Sequence, residues 1–466
     1  MTEQTSGAEI WRSMLGAICQ TLGIPTPSIG RLEVTGQDSL PSCYPVTDLA
    51  IASIGAAGLA LSELMGCSGA APAIVVDRRL SSLWFGWSIR PLGWTVPAAW
   101  DPIACDYRAK DGWIRLHTNA PHHRAAALAV LQCEPSREAV AEAVGRWTAN
   151  ELESAIVSTQ GCAAAMRTYE AWQLHEQGRA VSAEPLAATE RMQAAPQRPW
   201  QPRRDRPLAG LRILDLTRVL AGPVGTRFLA GFGADVLRID PPGWDEPGVI
   251  PDVTLGKNCI RLDLREPAGR AIFEHLLSDA DVLVHGYRTG ALEGLGYGSP
   301  TLQSIRPGLI DISLNAYGHT GPWHLRRGFD SLVQMSCGIA EAGMGWKQAD
   351  RPFPLPVQAL DHATGYLMAA AVLRGLSACL TGGIALRTRL SLAGTAKLLM
   401  DHRSSPTNEE LPRSTGTDIC AEVETTPWGP AQRIQPPALV AGAPMHWNRP
   451  AAKLGSGIAK WDGLVC

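Results

Sequence analysis

The chain has 466 residues, 45% of them hydrophobic and 18% charged, which is enough apolar material for large buried cores and excludes bulk disorder or a single small module. Forty-two Lys and Arg against 44 Asp and Glu give a formal charge of -2, so no overall field favours nucleic acid or an anionic membrane, and an anionic partner has to be met locally. Only six of the 42 basic residues are Lys, and Arg presents the planar fork of donors that suits phosphate and carboxylate. The eleven cysteines are scattered, with no CxxC spacing, which argues against a zinc ribbon, a redox pair or a disulfide framework. The opening MTEQTSGAEIWRSMLGAICQTLG has helical spacing without the charged start and cleavage site of a secretory leader, so a cytoplasmic protein is expected.

In chain order, residues 48–64 (DLAIASIGAAGLALSEL) read as a helix apolar enough to resemble a membrane span. Its small residues, with Asp48 and Glu63 inside the run, favour a buried helix. A strand is expected over 74–77, and residues 111–186 read as an α/β segment with a strand at 113–116 and helices over 137–147 and 150–158. Residues 192–207 (MQAAPQRPWQPRRDRP) lose apolar periodicity and read as a linker. Beyond it come a strand at 213–216, a turn at 221–223, a helix over 225–232 and a strand at 235–239, which is a βαβ unit. More units follow: strand 259–264, helix 267–278, strand 281–285, a helical turn at 302–305 and strand 309–314. The expected fold is therefore α/β with a doubly wound, mostly parallel sheet.

Residues 361–376 (DHATGYLMAAAVLRGL), with the strand expected at 384–387 and Arg389-Leu390-Ser391, resemble residues 48–64, the strand at 74–77 and Arg79-Leu80-Ser81. We read this as an internal duplication. The final stretch, 401–466, is rich in Pro, Thr and Gly and is expected to lie as an extended strap.

The first βα turn carries the chemistry in an open α/β sheet. Here it reads Thr217-Arg218-Val219-Leu220-Ala221-Gly222-Pro223, without the G-x-G-x-x-G or Walker A glycines. Asp240 ends the second strand where a ribose-binding acid would sit, a weak signal in the absence of those glycines. The turn offers a cation, Arg218, beside amides at a helix start. Arg265, Arg288 and the Arg326-Arg327 pair stand at comparable places, and gathered on one sheet edge they would form a local anion site. Asp361 opens an apolar helix, where an N-capping carboxylate is held ionised by helix amides, as nucleophilic attack on a thioester requires. Asp48 has the same place in the first copy and reads as a cap. No G-x-S-x-G elbow or patterned Cys–His pair is present, and His122-His123 read as a surface pair.

Four ordered blocks within 208–376 resemble the class III CoA-transferases: LAGLRILDLTRVLAGPVGTRFLAGFGADVLRIDPPG, RLDLREPAGRAIFEHLLSDADVLVHGYRTGALEGLG, NAYGHTGPWHLRRGFDSLVQMSCGIAEAG and LDHATGYLMAAAVLRGL. Residues 45–190 resemble the later half of that family. The resemblance implies a rearranged layout: 1–191 like a later half, a linker at 192–207, a Rossmann-like CoA-transferase domain at 208–400 with an additional smaller α/β domain, and a strap at 401–466. It implies Asp361 as the acid that attacks an acyl-CoA thioester, giving a mixed anhydride and then an aspartyl-CoA thioester. It places CoA contacts on Arg218, Val219, Leu220, Ala221, Leu262, Arg265, Gly286, Tyr287, Arg288 and Arg327. The implied partners are acyl-CoA and a carboxylic acid acceptor, with no metal or redox cofactor, nucleic acid or membrane, in a homodimer or pseudo-dimeric monomer. Racemases of the family have a His in the block that here reads Gly328-Phe329-Asp330, and Phe329 cannot move a proton. The Gly-rich loop that covers the site in formyl-CoA transferase has no counterpart. A CoA-binding scaffold without chemistry and an acyl-CoA racemase or isomerase with another second base remain as alternatives.

Overall fold

The computed structural model describes residues 7–192, 200–403 and 405–462. The elements that build the site are α1 (Val46–Gly66), β1 (Ala187–Arg191), β2 (Arg212–Leu216), α2 (Ala221–Gly231), β3 (Asp235–Asp240), β4 (Lys257–Arg261), α3 (Pro267–Ser278), β5 (Val282–His285), β6 (Ile310–Asn315), α4 (Asp330–Ser336), α5 (Ala359–Gly382), β7 (Leu386–Ser391) and α6 (Leu392–Asp401).

Runs such as Ile213-Leu214 and Val282-Leu283-Val284 are buried throughout, as strands of a parallel sheet covered on both faces must be. Seven strands form one sheet in the order β4-β3-β2-β5-β6-β7-β1, parallel except that β1 runs antiparallel to β7. Strand order reverses between β2 and β5, so the loops after these two strands splay apart and leave a crevice at their carboxyl ends. The region before 192 therefore supplies an edge strand of this sheet. It also forms a small three-stranded sheet (Asp106–Arg108, Trp113–Leu116, Ala163–Ala165) with its own core.

The helices α1 and α5 are both long and apolar enough to cross a membrane by length and composition, and both are largely buried inside the protein. They pack on each other, and α5 also packs on α2. The α5–α2 contact is set by glycine. A Cβ on Gly365 would lie 2.3 Å from the Ala221 carbonyl oxygen, and one on Gly225 would lie 2.4 Å from the Gly365 carbonyl oxygen. Only bare backbone permits this approach, which brings the start of α5 over the first βα turn.

The tail contributes Glu424–Thr426 and Gly429–Arg433, in a sheet with Ile89–Pro91, and Ala438–Val440, in a sheet with Leu32–Thr35 and Ile74–Asp77. In the linker, 193–199 lie outside the described residues, while Trp200 donates to the Ala209 carbonyl and Arg206 to the Gly231 carbonyl.

Three local expectations are corrected. Residues 221–223 are not a turn but the opening of α2: Pro223 is its third residue, where an N–H has no intrahelical partner anyway. The strand expected at 259–264 is β4, which ends at Arg261, because pairing with β3 stops at Asp240. Arg389-Leu390-Ser391 lie inside β7, whereas Arg79-Leu80-Ser81 lie in the helix Arg78–Trp84, so that sequence match joins non-equivalent backbone.

Candidate active site

The turn after β2 is strained and braced. Val219 sits at φ 60, a left-handed conformation that a β-branched residue rarely adopts. Its N–H donates to Glu246 Oε2 at 2.8 Å, and the Trp244 indole donates to the same oxygen at 3.0 Å. Glu246 is in turn paired with the buried Arg238. Arg238 also donates to both oxygens of Asp240, so Asp240 is committed to the core rather than to a ribose.

Asp361 is the third residue of α5, only 8% exposed, and it is not the helix cap. The free amides of this helix are met from another element: Asp330 Oδ2 accepts from the Leu360 amide at 2.8 Å and the Asp361 amide at 3.0 Å, and Asp330 Oδ1 accepts from the Gln334 side chain. The expectation that amides hold the Asp361 carboxylate ionised is thereby corrected, because those amides hold Asp330. Burial pushes Asp361 well above the ordinary carboxylate range, and the adjacent Asp330 charge pushes it further. Burial also lifts Asp330, to about 6, against its three hydrogen bonds. Asp330 has the donors and Asp361 has none, so of the two carboxyl groups Asp361 is the one whose ionised form is the more disfavoured.

Two cavities meet at Asp361, and Val219 and Phe329 also line both. The first, about 260 Å³, opens at the β2/β5 crevice. Of the sequence-predicted residues, Arg218, Val219, Ala221, Gly286, Tyr287, Arg288 and Arg327 line it together with Asp361. The Arg218 guanidinium stacks 4.8 Å from the Trp244 ring centroid and 5.1 Å from that of Tyr287. Arg288 and Arg327 both donate to Gln160 Oε1, and Arg327 also donates to the Gln160 carbonyl at 2.7 Å. None of the three arginines has an acidic partner among the described residues. Burial depresses the Arg327 pKa, and the like charge of Arg288 depresses it further. The cavity is a cationic pocket lacking a counter-charge.

The second cavity, about 640 Å³, is lined by Phe85, Trp87, Trp100, His117, Leu220 and Leu355 among others. Phe329 divides the two, with His117 stacked on it at 3.6 Å and His123 edge-on at 5.8 Å.

Comparisons with known proteins find relatives for part of the chain. Residues 208–423 match the family model described as CoA-transferase family III. This region of the chain is similar to CoA-transferase family III. An acyl-CoA transferase of Fusarium pseudograminearum is 33% identical over 218 residues, covering 41% of this chain and 46% of that protein. The succinyl-CoA:glutarate CoA-transferase of Mus musculus is 35% identical over 184 residues, covering 37% and 42%. The crystal structure of Rv3272 from Mycobacterium tuberculosis aligns with a TM-score of 0.39 at 32% identity, covering 42% of this chain and 59% of that one. The chain thus spans less than half the length of the curated relatives it matches.

Within the CoA-transferase family III region, three predicted positions do not line the first cavity. Leu262 is packed in a core cluster with Leu237 and Ile260. Arg265 is tied to Asp263 at 2.7 Å on the surface, since the chain turns away once β4 has ended. Leu220 faces the second cavity. Arg326 is buried against Glu153 and the Trp323 ring. Asp48 pairs with Arg78 at 3.1 Å in the first turn of α1 and lines neither cavity. His122 and His123 are not a plain surface pair: both line the first cavity and His123 is buried. Sequence reasoning missed Gln160, Trp244 and the role of Asp330. Of these only Asp330 left a signal, in the Gly328-Phe329-Asp330 block.

Proposed function

We propose that the protein is an acyl-CoA:carboxylate CoA-transferase with Asp361 as its nucleophile. The observation that carries this reading is a cavity rimmed by three guanidiniums without acidic partners that ends on a buried carboxyl group. CoA carries phosphates for such a rim. The Asp361 carboxylate attacks the thioester carbonyl, the C–S bond breaks, and CoA leaves as thiolate with an aspartyl mixed anhydride left behind. The thiolate then attacks the aspartyl carbonyl, releasing the first acid and leaving an aspartyl-CoA thioester. The acceptor carboxylate repeats the sequence in reverse. A desolvated carboxylate without hydrogen-bond donors is a reactive one, and the same desolvation disfavours its ionised form.

Two measurements check this. Arg327→Ala is expected to weaken CoA binding about tenfold and to flatten its salt dependence, as read by titration calorimetry. Unchanged affinity would remove the rim from the account. Asp330→Asn retains an oxygen for the Leu360 and Asp361 amides but deletes the neighbouring charge. The acid limb of the acylation rate is therefore expected to move to lower pH, and an unmoved limb contradicts the proposed coupling.

The acyl-CoA racemase reading has one observation in its favour, the two imidazoles flanking Phe329. Both are poor bases: burial pushes His123 down to about 3 and His117 well below its usual value. No deuterium exchange at the α-carbon is expected. For the duplication, we infer that 46–84 and 359–401 are copies on the shared sequence helix, strand, side-chain cap, helix, in which Asp77 and Ser391 are the caps.

A further inference from the structure

The second cavity adjoins the nucleophile, and one of its walls, from Phe85 to Asn119, lies outside the family-matched region. Its charge balance limits what it can hold. The charged side chains lining it are Asp106, Arg115 and Asp361. Arg115 is already committed: Nη1 donates to Asp106 Oδ1 at 2.8 Å, and the guanidinium lies 4.8 Å from the centroid of Trp100. Burial keeps His117 and His362 neutral, so neither imidazole adds positive charge. A carboxylate placed deep in this cavity would lose its water and find no unpaired cation. Apolar surface, by contrast, is abundant: Phe85, Trp87, Trp100, Phe329, Leu355 and Val357 line a space of about 640 Å³. Among the described residues, the buried neutral polar atoms of this wall without a partner are Ser331 Oγ, His117 Nδ1 and His362 Nδ1, which suit a neutral polar substituent rather than a charge.

We propose that this cavity receives the acyl group and the acceptor, and that it selects monocarboxylic acids with a bulky aromatic or branched apolar body over short dicarboxylic acids. The proposal rests on the reading of Asp361 as nucleophile. It differs from what the name of the succinyl-CoA:glutarate relative would suggest, and Phe85, Trp87 and Trp100 of this chain's 85–119 segment contribute to the apolar wall. Trp100 is its specificity-determining residue: 37% exposed at the mouth, it carries Arg115 on its face and His117 against its ring at 5.7 Å.

The test is calorimetric titration of the full chain with 3-phenylpropanoate and with glutarate. The aryl acid is expected to bind at least about tenfold more tightly, Trp100→Ala to lose about fivefold of that affinity, and Trp100→Phe to recover most of it. Equal or tighter binding of glutarate, or aryl-acid affinity unchanged in Trp100→Ala, overturns the proposal. A parallel assay separates it from the reading it rests on. If succinyl-CoA labels Asp361 faster than 3-phenylpropanoyl-CoA, the acid class is wrong and the nucleophile stands. If the aryl acid binds but neither thioester labels Asp361, the cavity stands and the nucleophile is wrong.

Discussion

Asp361→Asn is expected to slow CoA transfer by roughly a thousandfold or more while making the fold more resistant to denaturant. The rate falls because the amide cannot attack a thioester. The gain in stability follows from linkage. In the folded chain burial and the Asp330 charge raise the Asp361 pKa well above that of an unfolded aspartate. The native state therefore binds more protons than the unfolded state, and stability falls as pH rises from about 4 towards the folded value. Asn has no proton to lose, so its advantage should widen with pH across that window. Urea midpoints of both chains at several pH values check this. A variant that is inactive but no more stable at any pH would mean that Asp361 is not strained by burial.

Asp252→Ala is expected to cost about 3–5 kcal/mol. Asp252 is fully buried. One oxygen accepts from the Ser88 and Ile89 amides at 2.9 and 3.1 Å, and the other is bound by Arg227. Arg433 of the tail approaches the same carboxylate at 3.4 Å and holds Glu424 at 2.7 Å. One carboxylate thus joins the 85–89 segment, α2 and the tail, and its loss leaves the guanidinium of Arg227 buried against Trp84 without a counter-ion. Denaturant unfolding should show the loss, and limited proteolysis should show earlier release of the tail. A change under about 1 kcal/mol would show that water reaches Arg227.

The parts of this fold legible in the sequence are those set by local pattern. The helix Pro267–Ser278 begins and ends where its proline and apolar spacing place it. The buried strands β2, β3 and β5 form around the short apolar runs Ile213-Leu214, Val236-Leu237 and Val282-Leu283-Val284. Strand ends were less legible, because β4 stops where its partner does rather than where Leu262 and Leu264 cease to be apolar. For the site, the loop residues of the β2/β5 crevice could be placed because an open parallel sheet gathers its post-strand loops. The ionisation of Asp361 could not. It depends on an acid 31 residues earlier that takes the amides a cap would have used. The second cavity was illegible for a similar reason: its walls meet only after segments far apart in the chain, such as those of Trp100 and Leu355, have packed together, and no local spacing encodes that pairing.

The most direct measurement is intact and peptide mass spectrometry of the chain after incubation with an acyl-CoA, with and without hydroxylamine. The account predicts a covalent acyl or CoA adduct on the peptide containing Asp361, removed by hydroxylamine and absent from Asp361→Asn. An adduct on any other residue, or full turnover by the variant, would contradict it.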